Sequence, residues 1–153
     1  MSRGQDTSII QGLRVWARGI YPIEAGVELL IRTGLTGGPW VRRNSQVRDR
    51  WWIDADEINA DTIGAYSGGQ QRLLRIAAAL LGGEPSALDE DVPGLDRAHL
   101  ALVLAAIAHA GGSHEHSGQP QPDPTGRFTI NGVRSSWARL PSLYSWPAAA
   151  SRG

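Results

Sequence analysis

The 153-residue chain carries 15 basic and 15 acidic residues, so its formal net charge is zero. No global field draws it to nucleic acid or anionic lipid, and any such partner has to be held by a local patch. Cysteine is absent, which excludes disulfides, thiolate metal sites and a cysteine nucleophile. Every basic residue is an arginine; without lysine, Schiff-base chemistry and a phosphate-loop lysine are both excluded.

The length suits one domain with a real core. Hydrophobic residues at 41% and charged residues at 20% are ordinary globular values. Six tryptophans against one phenylalanine are unusual, and large amphipathic rings are expected to carry much of the packing. The longest near-apolar stretch, Leu95 to Ala110, is interrupted by Asp96, Arg97, His99 and His109. It is too polar and too short to span a bilayer. No signal peptide is read at the N-terminus, and a cytoplasmic location, with no membrane partner, is expected.

Residues 1–19 read as a loosely ordered lead-in. From Ile20 the pattern turns helical: Ile23, Val27, Leu30 and Ile31 fall on one face, Glu24, Glu28 and Arg32 on the other, and Gly34 is the stop. Thr36-Gly37-Gly38-Pro39 is a loop. Trp40-Val41-Arg42 and Arg50-Trp51-Trp52-Ile53 read as the strands of a hairpin. The acidic stretch Asp54 to Asp61 suits the opening of a short helix. A second helix follows Ser67, which has capping-box spacing to Gln70; Leu73, Leu74, Ile76, Ala77, Leu80 and Leu81 form its broad apolar face, and Gly82-Gly83 ends it. A third runs from the cap Asp96 to Ala110 before Gly111-Gly112. Apolar on nearly every side, it suits a core or a subunit interface. Ser113 to Thr125 has linker composition. Phe128-Thr129-Ile130, Asn131-Gly132 and Val133 suit a tight hairpin. The segment Leu140 to Pro147 is too apolar for a free tail and is expected to dock.

Two local resemblances qualify this picture. Tyr66-Ser67-Gly68-Gly69-Gln70-Gln71-Arg72 resembles the signature sequence of ABC-type ATPases, in which a serine and two glycines at a helix N-terminus present backbone N–H groups to a nucleotide phosphate. Leu88-Asp89-Glu90 followed by Gly94-Leu95-Asp96 resembles that family's Walker B and D-loop region. The chain departs from the family decisively: it has no GxxxxGK[ST] loop, and Glu84-Pro85-Ser86 stands where the family has a hydrophobic strand. It is not expected to be a self-sufficient ATPase. What remains is a candidate anion site at Ser67, Gly68 and Gly69, completed by a partner. The run from Ser67 to Ser117, with Trp52-Ile53-Asp54 and Ser142-Leu143-Tyr144, is similar to a group of uncharacterised actinobacterial proteins. That likeness implies a cytosolic bacterial origin and supplies no catalytic residue.

The most suggestive binding segment is the hairpin. Arg42, Arg43, Arg48 and Arg50 stand against the single acid Asp49, flanked by Trp40, Trp51 and Trp52. Arginine with aromatics is the chemistry of nucleic-acid binding, phosphate pairing plus stacking on bases. The plainer reading turns the tryptophans inward, leaves the arginines in water and pairs them with Asp54, Asp56, Glu57 and Asp61. A second cluster, His109, His114, Glu115 and His116, has the donor types of a zinc site but matches no metal-motif spacing; a polar linker is the plainer reading. His99 is expected to be a hydrogen-bonded core histidine. Asp89, Glu90 and Asp91 read as a solvated acidic connection.

Together these observations predict an α+β, mostly α fold: a compact three-helix core (helices near 20–33, 70–81 and 96–110) with a small β-hairpin at 40–53 and a docked C-terminal segment. The expected organisation is a lead-in over 1–19, a core domain over 20–112, a flexible linker over 113–126 and a packing segment over 127–153. The leading functional expectation is a non-enzymatic binding or interaction protein with a nucleic-acid or protein partner, engaged through Trp40, Arg42, Arg43, Arg48, Arg50 and Trp51. The alternatives are a small metal-dependent enzyme using the histidine cluster and a partner protein lending an anion site. No cofactor is expected under the leading reading; zinc belongs to the enzymatic one.

Overall fold

The computed structural model describes residues 3–47, 50–115, 121–122, 128–130, 133–136 and 140–148. Its helices are α1 (Arg3–Ala17), α2 (Tyr21–Arg32), α3 (Ala60–Ile63), α4 (Gly68–Leu80), α5 (Leu88–Asp91) and α6 (Arg97–Ala110). The strands are β1 (Val41–Arg43), β2 (Trp51–Ile53), β3 (Gln121–Pro122), β4 (Phe128–Ile130) and β5 (Val133–Ser136). The fold is α+β and mostly α, as the periodicity predicts.

Helix α2 is the centre of the assembly. It packs against α1, α4 and α6, and Ala25, Val27, Leu29 and Leu30 on it are all buried. Alanine and glycine let the neighbours approach closely: a Cβ added at Gly26 would lie 2.6 Å from the Leu81 side chain. The long helices end as the sequence dictates. In α4, Ser67 Oγ accepts from Gln70 N while Gln70 Oε1 accepts from Ser67 N, a reciprocal cap that satisfies two otherwise orphaned donors. In α6, Asp96 accepts from His99 N. Gly34, Gly82 and Gly112 follow α2, α4 and α6 in the left-handed region, with φ of +74°, +84° and +72°, where a Cβ would be strained.

Two expectations are corrected. Residues 1–19 are not a loose lead-in: most of them form α1, whose Ile9, Leu13 and Ala17 recur at i, i+4 and i+8 and are buried in the core. The core therefore has a fourth long helix. The Asp89-Glu90-Asp91 connection is not simply solvated either. It lies in the single turn of α5, and Asp91 is only 2% exposed, because Arg75 Nε donates to its Oδ1 at 2.8 Å and Ser86 Oγ to its Oδ2 at 2.7 Å. A buried carboxylate needs such partners to offset its lost hydration.

Strands β1 and β2 pair antiparallel, with Val41 opposite Ile53, Arg42 opposite Trp52 and Arg43 opposite Trp51. Ile53 enters the core, and β2 lies against α1. The acidic stretch forms a 3-10 turn at Ala55–Glu57 and then α3, capped by Asn59. Farther on, β3, β5 and β4 form a three-stranded antiparallel sheet in that order. Strand β3 falls within the stretch expected to be a linker; Asn131 and Gly132, the expected turn of the β4–β5 hairpin, lie outside the described residues. The 140–148 segment returns to the helices. Leu140 N donates to Glu115 O and Leu143 N to Ser113 Oγ. Arg32 donates to Pro147 O, and its guanidinium lies 4.9 Å from the Trp146 ring centre. Trp146 is the docked anchor, while Leu143 and Tyr144 remain exposed. Among the described residues no helix is long and apolar enough to cross a membrane.

Candidate nucleic-acid interface

The hairpin divides its tryptophans by strand alternation and by position. Trp40, just before β1, is fully buried, and its indole Nε1 donates to Leu35 O at 3.0 Å. It is a core residue and is removed from the expected binding patch, since no surface of it reaches a partner. Gly38 makes room for it: a Cβ there would lie 2.3 Å from the Trp40 ring. Trp51 is half-buried against the core, and Trp52 is 36% exposed.

The arginines stay in water. Arg42, Arg43 and Arg50 are all exposed, and among the described residues none of them forms an ion pair. Among the described residues none of them pairs with the acidic stretch that follows the hairpin. Arg43 has one aromatic contact, its Cζ lying 5.6 Å from the Trp51 ring centre, within cation–π range. Arg48 lies outside the described residues.

Between α1 and the hairpin runs a groove of about 690 Å³, lined by Ser8, Gln11, Gly12, Val15, Trp16, Asn44, Arg50, Trp51 and Trp52. That volume is typical of sites for small organic ligands. Among the described lining residues three are tryptophans, one is an arginine and none is a carboxylate. Trp16, which is 39% exposed, comes from α1 and Trp51 and Trp52 from β2, so the groove exists because α1 lies along β2. The Trp51 indole N–H is buried with no acceptor among the described residues. Sequence reasoning missed Trp16 and the polar wall of Ser8 and Gln11 because it read no helix before residue 20.

The other candidates are placed as follows. At Ser67-Gly68-Gly69 the serine hydroxyl and the Ser67 N–H are both engaged in the cap with Gln70. Residues 88–91, compared above with a Walker B strand, are helical. In the histidine cluster, His109 Nε2 lies 3.2 Å from Glu24 Oε1, and the His109 and His114 rings stack with centres 4.3 Å apart and planes 12° apart. Tyr21 meets the His114 ring edge-on at 4.6 Å. Stacked imidazoles carry their nitrogen lone pairs in nearly parallel planes, which does not converge them on one ion. Glu115 is exposed, and His116 lies outside the described residues. Among the described residues no group of three or more His, Cys, Asp or Glu side chains is placed to hold a metal. His99 is not a core histidine: its side chain is 33% exposed and pairs with Asp96 at the start of α6.

One electrostatic feature ties α1 to α2. Glu28 on α2 accepts from Arg14 Nε of α1 at 2.6 Å and from Arg32 Nε at 3.1 Å. Burial pushes the Glu28 carboxyl up, but the hydrogen bonds and charges of Arg14 and Arg32 outweigh it and hold the group below its ordinary value.

No protein-family model, curated protein or solved structure matches the chain.

Proposed function

We propose that this chain is a non-enzymatic binding protein that engages nucleic acid through the β1–β2 hairpin and the groove beside it. The observation that carries the reading is a combination, among the described residues, of three exposed arginines without ion pairs and a groove lined by three tryptophans and no carboxylate. Arginine pairs with phosphate oxygens in a fork geometry. Tryptophan offers flat faces to bases and keeps a polar N–H for an acceptor. Zero net charge confines such binding to this patch and makes it modest and salt-sensitive.

The test is fluorescence anisotropy of labelled DNA and RNA oligonucleotides titrated with the wild-type chain and with the Arg42→Ala/Arg43→Ala double variant. Binding that weakens with salt and is lost in the double variant supports the reading. Wild-type affinity in the double variant, or no binding by the wild type at low salt, refutes it.

A further inference from the structure

The geometry points to unpaired bases as what the groove takes: the ligand is a single-stranded nucleic acid rather than a duplex. This inference rests on the reading of the hairpin as a nucleic-acid contact and adds the form of the strand and the residues that sort it.

The argument starts from which surfaces are on offer. Trp16 and Trp52 are substantially exposed, on opposite elements, and line the same groove. An aromatic face is useful to nucleic acid only when a base face is free to meet it, and in a duplex those faces are stacked on one another. Phosphate contacts alone would give no preference for the single strand, because the duplex carries the denser backbone charge. The described strands are short for a duplex reader: β1 and β2 are three residues each, and among the described residues Arg42 and Arg43 share that small ladder with Trp51 and Trp52, well short of a ribbon that follows a groove of B-DNA.

The walls of the groove complete the fit. Ser8, Gln11 and Asn44 supply neutral donors and acceptors of the kind that meet a base edge, and Arg50 lies at the same surface for the backbone. Trp51, half-buried against the core, lines the groove between them. The charge of the site matches this occupant. Arg50 lines the groove, Arg42 and Arg43 are exposed on the neighbouring strand, and none of the described lining residues is a carboxylate, which suits a polyanion that brings flat rings with it.

The experiment is a paired titration with one labelled oligonucleotide, presented first as a single strand and then annealed to its complement, against wild type, Trp52→Ala, Trp52→Phe and Trp16→Ala. Circular dichroism confirms that each variant keeps the wild-type fold; if one does not, its partner on the opposite wall decides. The expected result is at least tenfold tighter binding of the single strand, roughly tenfold weakening in Trp52→Ala and Trp16→Ala, and recovery in Trp52→Phe, which keeps a flat face. Equal or tighter binding of the duplex overturns the inference while leaving the proposed function standing. Single-strand preference unchanged in both alanine variants also overturns it, because the strand is then held elsewhere. Binding of neither form removes the inference and the proposed function together.

Discussion

Arg43 and Trp51 sit opposite one another in the β1–β2 ladder, with the Arg43 Cζ 5.6 Å from the Trp51 ring centre. The pairing holds a cation over an aromatic ring that lines the groove, and Arg42 carries a second charge on the adjacent position. Removing both charges should act on affinity and on its salt dependence together. Each lost phosphate contact lowers the slope of log affinity against log salt by about 0.7 for a single strand, so the Arg42→Ala/Arg43→Ala variant should show a slope shallower by about 1.4. Anisotropy across a salt series reads this directly. A weaker affinity with an unchanged slope would mean that these arginines act through the fold and not through phosphate.

Leu13 should matter to the groove without touching its ligand. It is a fully buried core residue of α1, the helix that supplies Trp16. Leu13→Ala should cost about 2–5 kcal/mol in urea unfolding and should lower nucleic-acid affinity as α1 loosens from β2. Full stability in this variant would show that α1 is not integral to the core.

Arg75 offers a sharper test of how α4 and α5 are joined. Its guanidinium is half in water, whereas Asp91, its partner, is almost wholly buried. Arg75→Ala leaves a buried carboxylate with only Ser86, and should cost about 3 kcal/mol. A double-mutant cycle with Asp91→Asn should show strong coupling. Additive losses would argue that the two side chains act separately.

Glu28 gives the stability a pH dependence of known sign. Its folded-state pKa is lowered by Arg14 and Arg32 against the opposing effect of burial. Its contribution is therefore fully present above the ordinary glutamate pKa and is lost as pH falls through the lowered one. Because Arg14 and Arg32 are 41% and 30% exposed, the contribution should be only about 1 kcal/mol. Urea melts at neutral pH should show Glu28→Gln less stable than wild type by this amount, and the gap should close in acid. A gap that persists at low pH would assign the loss to packing.

The parts of the fold that could be read from the sequence are those whose signals are local. Helices α2, α4 and α6 combine clear apolar spacing with end signals, such as Ser67 with Gln70, Asp96, and the glycines 34, 82 and 112. Helix α1 was hidden because Gly4 and Gly12 interrupt it and because Val15 and Trp16 face solvent, which blurs the apolar stripe. Its Ile9, Leu13 and Ala17 spacing was nevertheless there to be found. The hairpin arginines were recognisable by composition, yet which tryptophan faces the core was not. Trp40 is buried through a loop contact to Leu35, whereas Trp52, just after the expected patch residue Trp51, lines the groove. Asp91 was misread because its partner Arg75 is sixteen positions away, beyond any local pattern. The groove itself joins residues 8–16 to Asn44 and residues 50–52 and exists only in the folded chain.

The measurement that tests the central claim most directly is a titration of the ¹⁵N-labelled chain with an unlabelled single-stranded oligonucleotide, followed through the tryptophan indole N–H signals. The account predicts that the signals of Trp16, Trp51 and Trp52, which line the groove, shift, while Trp40, held to Leu35 in the core, stays in place. Unmoved signals from all three groove tryptophans would contradict the account.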